Sequence, residues 1–390
     1  MLFGKLCRCG ATRGISVRSR LDRRELLCGG GAGFVAALVA TLAGTSRTAR
    51  AQPLGRSVPE VDRLAVRVVT DNYFFPYFAP QKFPDIVVER FARAETPERP
   101  PSHELLGEWG LCMHAESQAG NQTRNVLIDF GYTPETILNN LGFLKIDPVA
   151  LDALVLSHGH YDHFGGLSGF LRATKNQLKK GIPFFVGGED CFCTRELPNG
   201  AQYGALHRKA IIDSSLTLMI MERPSLVADH AFTTGHIPFT SFEKPLTPTK
   251  MKAGVVDGWG CFPEKLPPEK NTNTFIPDDL AHEIATSFMV KGKGLVVLTS
   301  CSHRGVVNTV KQAQAASGVQ KVHAIVGGMH LVPPLTEDYI GETVLALKAI
   351  NPDYIMAAHC SGDTFYEIAK AEMPNRILRS SVGTRLVFGA

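Results

Sequence analysis

Residues 157–166 read Ser-His-Gly-His-Tyr-Asp-His-Phe-Gly-Gly, so four side chains able to bind a metal ion, His158, His160, Asp162 and His163, fall within six positions. Three imidazoles and a carboxylate suit zinc, with manganese or iron possible where oxygen ligands come from elsewhere. A single histidine is usually a packed or surface residue, and His103 and His282 are read that way. Four ligating groups at this spacing ask for a common purpose. The apolar run Leu154-Val155-Leu156 precedes them, so the stretch reads as a strand entering a loop. Residues two apart on a strand share a face, which lets His158 and His160 reach one ion together. Beyond the strand, Asp162 and His163 turn toward a second ion beside the first. Gly165-Gly166 then lets the backbone turn sharply into the next element.

Further ligands must come from other segments, and the chain offers them at strand ends. Alternation of strand and helix runs through the last hundred residues: strands over 295–298, 322–326 and 354–357, helices over 306–316, 339–350 and 365–370. Each strand is followed by a histidine, His303, His330 and His359. Earlier, Leu64–Val69 and Arg124–Phe130 read as strands, the second ending at Asp129, and Pro183–Val186 as another. Thr133 followed by Pro134 is a helix start, with Thr133 as cap and Pro134 in the first helical position. Residues 167–178 read as a helix. Since one site must gather groups from 158 to 359, residues 52–390 are read as one domain. The stretches 79–107 and 188–282, richer in Pro, Gly and charge, are read as inserted loops that build a pocket rim.

The H-x-H-x-D-H pattern resembles the metallo-β-lactamase superfamily. Thr70-Asp71-Asn72, Val126–Gly131, Ser157–His163, Cys301-Ser302-His303, Gly327-Gly328-Met329-His330-Leu331 and His359-Cys360 follow the order of one branch of it. That branch is named for 7,8-dihydropterin-6-yl-methyl-4-(ribofuranosyl)aminobenzene 5′-phosphate synthase, and the resemblance covers roughly residues 64–387. It implies an α/β fold, a four-layer αβ/βα sandwich with ligands at one edge of its sheets. By the same resemblance His359 joins Asp162 and His163 at one ion, while His158, His160 and a later histidine hold the other. His303 fits the branch for that last place and His236, in Thr234-Gly235-His236, fits the wider superfamily; the reading favours His303. His330 is either a ligand or a pocket residue. The aspartate that usually bridges the ions is missing from Thr299–His303, so Cys301 or His303 substitutes, or only a hydroxide bridges them. Asp129 is expected to orient a ligating histidine rather than touch metal.

Residues 1–51 read as a twin-arginine export signal. Arg23-Arg24 precede a Gly- and Ala-rich apolar segment, and Ala49-Arg50-Ala51 supplies a cleavage pattern before Gln52. The segment 26–45 is long enough to span a membrane but weakly hydrophobic, so cleavage is favoured over a lasting anchor. The leader holds nine of the chain's 41 Lys and Arg and two of its 37 acidic residues, leaving 32 basic against 35 acidic residues. That remainder lacks the excess positive charge a nucleic-acid binder needs. Three of the nine cysteines, Cys7, Cys9 and Cys28, lie in the leader. Six in the remainder do not make a disulfide scaffold, and Cys191 and Cys193 are read as ordinary loop or core cysteines. A periplasmic or secreted protein is expected, partnered by the twin-arginine export machinery and a small-molecule substrate.

The chain has no Gly-x-Ser-x-Gly elbow, phosphate-cradling glycine loop or dinucleotide fingerprint. The expected activity is hydrolysis of a small-molecule ester, phosphoester or cyclic amide by a metal-bound hydroxide, with two divalent ions, zinc first, and Asp162 aligning the attacking group. The alternative enzyme reading is a dihydropterin-type condensing synthase. From another class, the fold could serve as a non-catalytic metal- or ligand-binding protein.

Overall fold

A computed structural model of the chain describes residues 54–91 apart from 56, together with 104–244 and 248–389. The leader and His103 lie outside the described residues, as does 92–103 of the expected first inserted loop. Two mixed β-sheets form the centre. The nine-stranded sheet runs in the order Thr217–Ile220, Pro183–Val186, Ala153–Val155, Gln122–Ile128, Cys112–Ala119, Arg63–Thr70, Arg385–Phe388, Ile86–Glu89, Gln81–Lys82. The eight-stranded sheet runs Ser225–Val227, Ala231–Thr233, Thr286–Val290, Gly294–Thr299, Val322–Gly327, Tyr354–Ala357, Ile377–Arg379, with Glu60–Val61 paired beside Thr286–Val290.

Alternating side chains explain why these sheets are layered. On Gln122–Ile128, Val126 and Ile128 enter the core shared by the two sheets, while Leu127 points the other way, into a cluster with Ile137, Leu141, Phe170 and Leu171 of the helices Pro134–Phe143 and Leu167–Thr174. On the second sheet Tyr354 and Met356 join the shared core. Ile355 meets Val310, Val344, Leu347 and Phe365 from the helices Val306–Ser317, Glu337–Ile350 and Asp363–Glu372. Helices therefore cover both outer faces, giving the expected four-layer αβ/βα sandwich. The central parallel strands are buried on both faces, hence their unbroken apolar sequence, as in Gly-Leu-Val-Val-Leu-Thr of Gly294–Thr299.

Parallel pairing also aims the loops. Gln122–Ile128, Ala153–Val155 and Pro183–Val186 run parallel, as do Gly294–Thr299, Val322–Gly327 and Tyr354–Ala357. Their carboxyl ends lead directly to Asp129, to His158 and to His303, His330 and His359. Ligand sites in open α/β sheets form beyond such ends.

Several local expectations are modified. Asp162 and His163 stand on a short helix, Tyr161–Phe164, rather than in a loop; the His163 and Phe164 N–H groups both donate to His160 O. Gly165 and Gly166 have helical rather than turn dihedrals. They are small because of close approach: a Cβ on either would lie 2.2 Å from a carbonyl oxygen, of Tyr132 and Phe130 respectively. The helix after them stops at Thr174, whose carbonyl takes the Gln177 and Leu178 N–H groups in a turn. The helix expected from Tyr339 starts at Glu337, because Thr336 caps it by accepting from Tyr339 N.

The two inserted stretches are also less loop-like than their composition suggests. Ile86–Glu89 is a strand paired with Arg385–Phe388, and its Ile-Val-Val-Glu buries alternate residues. Within 188–282, Thr217–Ile220 extends the first sheet, and Ser225–Val227 with Ala231–Thr233 the second. The rest adds a four-stranded sheet and the hairpin Gly254–Val256/Trp259–Cys261. Cys193 is not an ordinary core cysteine, as it forms a disulfide with Cys261. The partner lies 68 positions away, across strands whose pairing no local pattern announces.

Candidate metal centre

The first strand end turns at Asp129, whose backbone takes the left-handed conformation, φ 60°. The turn sends its fully buried carboxylate under the histidine loop. There Asp129 Oδ1 accepts from Ser157 N, and Oδ2 accepts from Ser157 Oγ, each at 2.8 Å. Asp129 Oδ2 is also 2.8 Å from His163 Nδ1. The imidazole Nδ1–H donates to this carboxylate, which leaves Nε2 lone-paired toward the centre. The Ser157 hydroxyl hydrogen is donated to Asp129, so at 2.9 Å its oxygen accepts from His158 Nδ1–H. Asp129 thereby fixes the tautomers of two histidines, one directly and one through a serine. Thr249 Oγ1 lies 3.0 Å from His160 Nε2, turning Nδ1 of that ring to any ligating role.

The structure brings the expected residues into two triads whose ligating atoms lie within 4.8 Å of one another: His158, His160 and His303 in one, Asp162, His163 and His359 in the other. Ring centroids in the first are 4.7, 4.9 and 4.6 Å apart, close to an equilateral triangle. In the second, Asp162 Oδ2 is 3.2 Å from His359 Nε2 and 3.7 Å from His163 Nε2. The His158 and His163 rings, 4.2 Å apart, join the two.

His236 is not brought in. It is exposed, with Nδ1 3.2 Å from Ala281 O in a separate cleft, and His303 takes the third place of the first triad. The His330 ring lies tilted against that of His303, 4.2 Å between centroids, and His330 groups with Cys301 and Cys360. Cys301 Sγ lies 3.1 Å from His163 Nε2, near where a bridging group would stand.

Electrostatics favour ligand-competent protonation states at His158, His160, His303 and Asp162, and oppose one at His359 until a metal displaces its proton. Burial, then the charges of neighbouring histidines, holds His158 and His303 well below the usual imidazole range, and burial does so for His160 against the opposing pull of Asp162. Neutral imidazole is the form that binds metal. Burial would raise Asp162, yet His163, His359 and His160 together hold it far down, as a carboxylate. His359 is disfavoured as a cation by burial, but Cys360 and Asp162 outweigh this and raise it to about 9 in the protein without metal.

Divalent ions fit these residues. His158 Nε2 and both ring nitrogens of His303 are buried without a hydrogen-bond partner. Each such atom costs about 1–3 kcal/mol unless something replaces the lost water. A cation among three convergent imidazoles does so, and the His/Asp donor set suits a borderline ion of the zinc kind.

Several residues shape the centre in ways the sequence did not announce, Asp71 among them although it stands in the Thr70-Asp71-Asn72 motif. Asp71 Oδ1 accepts from His359 N at 2.9 Å, tying the first long strand to the last ligand. Glu283 takes the N–H groups of His303 and Arg304, one on each carboxylate oxygen, at 2.8 Å. His282 is indeed packed, and its Nε2 accepts from Gly159 N between the two ligating histidines. Tyr203 donates to Asp162 Oδ1 at 2.9 Å, placing a phenol from the inserted region over the second triad. Trp109, 49% exposed, stands at the mouth with its ring 5.0 Å from that of His359. A cavity of about 180 Å³ adjoins His359, lined also by Asp71, Tyr73, Ser361 and Tyr366.

Comparison with known proteins identifies the family and the fold. The model of the metallo-beta-lactamase superfamily matches residues 119–182. The chain is 30% identical over 264 residues to the 7,8-dihydropterin-6-methyl-4-(beta-D-ribofuranosyl)-aminobenzene-5'-phosphate synthase of Methanocaldococcus jannaschii, covering 65% of this chain and 81% of that protein. It is 25% identical over 262 residues to an uncharacterized protein of the same archaeon, covering 67% and 87%. Among solved structures, Tm1679, described as a metal-dependent hydrolase of the beta-lactamase superfamily, superposes with a TM-score of 0.58 at 20% identity, over 83% of this chain and 98% of that one. The chain belongs to the metallo-β-lactamase superfamily, and within it resembles the dihydropterin synthase branch.

Proposed function

We propose that the protein is a binuclear metal-dependent hydrolase acting on an ester, phosphoester or cyclic amide bond of a small molecule. The observation that carries this reading is the pair of adjoining triads, one all-histidine and one containing Asp162, in a single buried cluster. Divalent ions bound there, zinc first and manganese or iron as alternatives, would acidify water and polarise the bond under attack. His158, His160 and His303 hold one ion; Asp162, His163 and His359 hold the other. Asp162 also aligns the attacking group, and Tyr203, hydrogen-bonded to its second oxygen, keeps the carboxylate from rotating away. Trp109 and Tyr73 give the substrate an apolar, planar face to lie against beside His359.

One finding favours a second reading. The relative at 30% identity is named as a synthase, so a dihydropterin-type condensation, with the ions activating a diphosphate leaving group, is the alternative. Metal-loaded protein assayed on phosphodiesters, lactones and β-lactams beside that condensation separates the two. Turnover on the panel, lost in His160→Ala, supports hydrolysis. Condensation alone would replace it, and tight metal with neither activity favours a binding protein.

Residues 1–51 are further proposed to be a twin-arginine leader that delivers 52–390 to the periplasm or outside the cell. The Cys193–Cys261 disulfide supports an oxidising destination. Among the described residues no helix is long and apolar enough to cross a membrane. N-terminal sequencing of the exported protein, expected to begin at Gln52, tests this; retention of the leader in the cytoplasm would refute it.

A further inference from the structure

The two cysteines beside the centre are used by neither triad, yet the fold presses them together. Cys301 Sγ and Cys360 Sγ are 3.2 Å apart, well beyond a disulfide bond of about 2.05 Å and inside ordinary sulfur contact. Both are buried. His330 completes the group, with its ligating atom within 4.8 Å of both sulfurs. Its Nδ1 is buried without a hydrogen-bond partner, while its backbone N–H donates to Cys360 Sγ at 3.3 Å.

The backbone is bent to make this approach. Ser302, His330 and His359 have φ of 59°, 45° and 50°, left-handed conformations that non-glycine residues adopt at a cost and that gather at ligand-holding sites. Gly328 leaves room: a Cβ there would lie 3.0 Å from Cys360 Sγ and 2.0 Å from Ser300 O. Thus the three strand-end loops that carry Ser302, His330 and His359 are contorted around one point, and the groups meeting there are two sulfurs and an imidazole whose Nδ1 has no hydrogen-bond partner.

We propose that Cys301, Cys360 and His330 form a further, sulfur-rich metal position adjoining the two triads, selective for a thiophilic ion such as zinc or cadmium. Two thiolates and an imidazole are a soft donor set, and three protein ligands leave the fourth tetrahedral place to an exchangeable ligand. Both sulfurs bind as thiolates, any S–H proton passing to solvent; no electrons move, and both sulfurs keep their oxidation state. Cys301 Sγ, 3.1 Å from His163 Nε2, couples the position to the Asp162 triad. The inference does not rest on the hydrolase reading, since it concerns which ion is bound and not which bond is cleaved.

The test is to titrate the metal-free full-length protein, its leader cysteines replaced by Cys7→Ser, Cys9→Ser and Cys28→Ser, with Cd²⁺ in the absence of oxygen, and follow sulfur-to-metal charge-transfer absorption. The band is expected in this parent protein and in Cys112→Ser and Cys191→Ser, whose thiols lie in the core under the first sheet. In Cys301→Ser or Cys360→Ser it should fall to half or less, with one ion fewer bound. His160→Ala should keep the band, separating this position from the histidine triad. If the serine variants do not fold, Cys360→Asp decides: it retains a ligand, and should hold the ion with a diminished band. Absence of the band from the parent protein, indifference to Cys301 and Cys360, its loss in His160→Ala, or recovery of the two cysteines as a disulfide on peptide mapping would each overturn the proposal.

Discussion

Residues 157–166 deliver His158, His160, Asp162 and His163 from ten consecutive positions, whereas His303, His330 and His359 arrive singly from three strand ends of the second sheet. The local half is steadied from its own sheet, by Asp129 at the end of the neighbouring strand acting through Ser157. The dispersed half is steadied from both sheets: Glu283, just ahead of the second-sheet strand Thr286–Val290, holds the His303 backbone, and Asp71 of the first sheet holds that of His359. The local half can take shape once its strands pair. The dispersed half exists only when both sheets have closed on each other, so damage to its supports should cost folding as well as chemistry.

Substitutions should divide along that line. His160→Ala removes a ligand outright and is expected to lose one bound ion and more than about a thousandfold in turnover with little change in melting, as read by metal analysis and activity. Retained metal and activity would break the assignment of the local half. Asp129→Asn leaves the ligands in place but loses the carboxylate that fixes two tautomers, and should weaken metal binding by about 10–100-fold in competition with a chelator. An unchanged affinity would mean the histidines need no such support. Glu283→Ala should behave in the opposite sense to His160→Ala. It orphans two buried N–H groups and is expected to cost about 2 kcal/mol or more of stability in denaturant titration, with a smaller fall in metal affinity.

How much of this could be read from the chain follows the same division. The H-x-H-x-D-H stretch and the Thr133 cap were legible because their logic is local, and His303 and His359 because each follows an apolar strand. His282, Glu283 and Tyr203 act on groups more than a hundred positions away or on another element's loop, and nothing around them in sequence marks that; Asp71 stood in the Thr70-Asp71-Asn72 motif, but its hold on His359, 288 positions on, did not show there. His236 is the converse case, the alternative that the reading set behind His303. Its Thr-Gly-His context invites a ligand role, but the chain places it in a different cleft from the triads.

A smaller effect concerns pH. In metal-free protein, the depressed folded pKa values of His158, His160 and His303 mean that the unfolded chain, near 6.5, takes up protons first. Their effect is therefore a loss of stability as pH falls below about 6.5. His359, raised to about 9, acts oppositely: the stability it adds is full below the unfolded value and is lost as pH rises through about 9. Thermal melts of the metal-free protein should peak between these limits and flatten at the alkaline end in His359→Gln. A melting temperature that rises steadily into acid would contradict the buried, neutral state of the local half.

The most direct measurement is an anomalous-scattering map, recorded at the metal edge, from crystals of metal-loaded protein. Peaks are predicted between His158, His160 and His303 and between Asp162, His163 and His359. An ordered metal-loaded crystal with no peak at either triad, or with its metal beside His236 instead, would contradict the account.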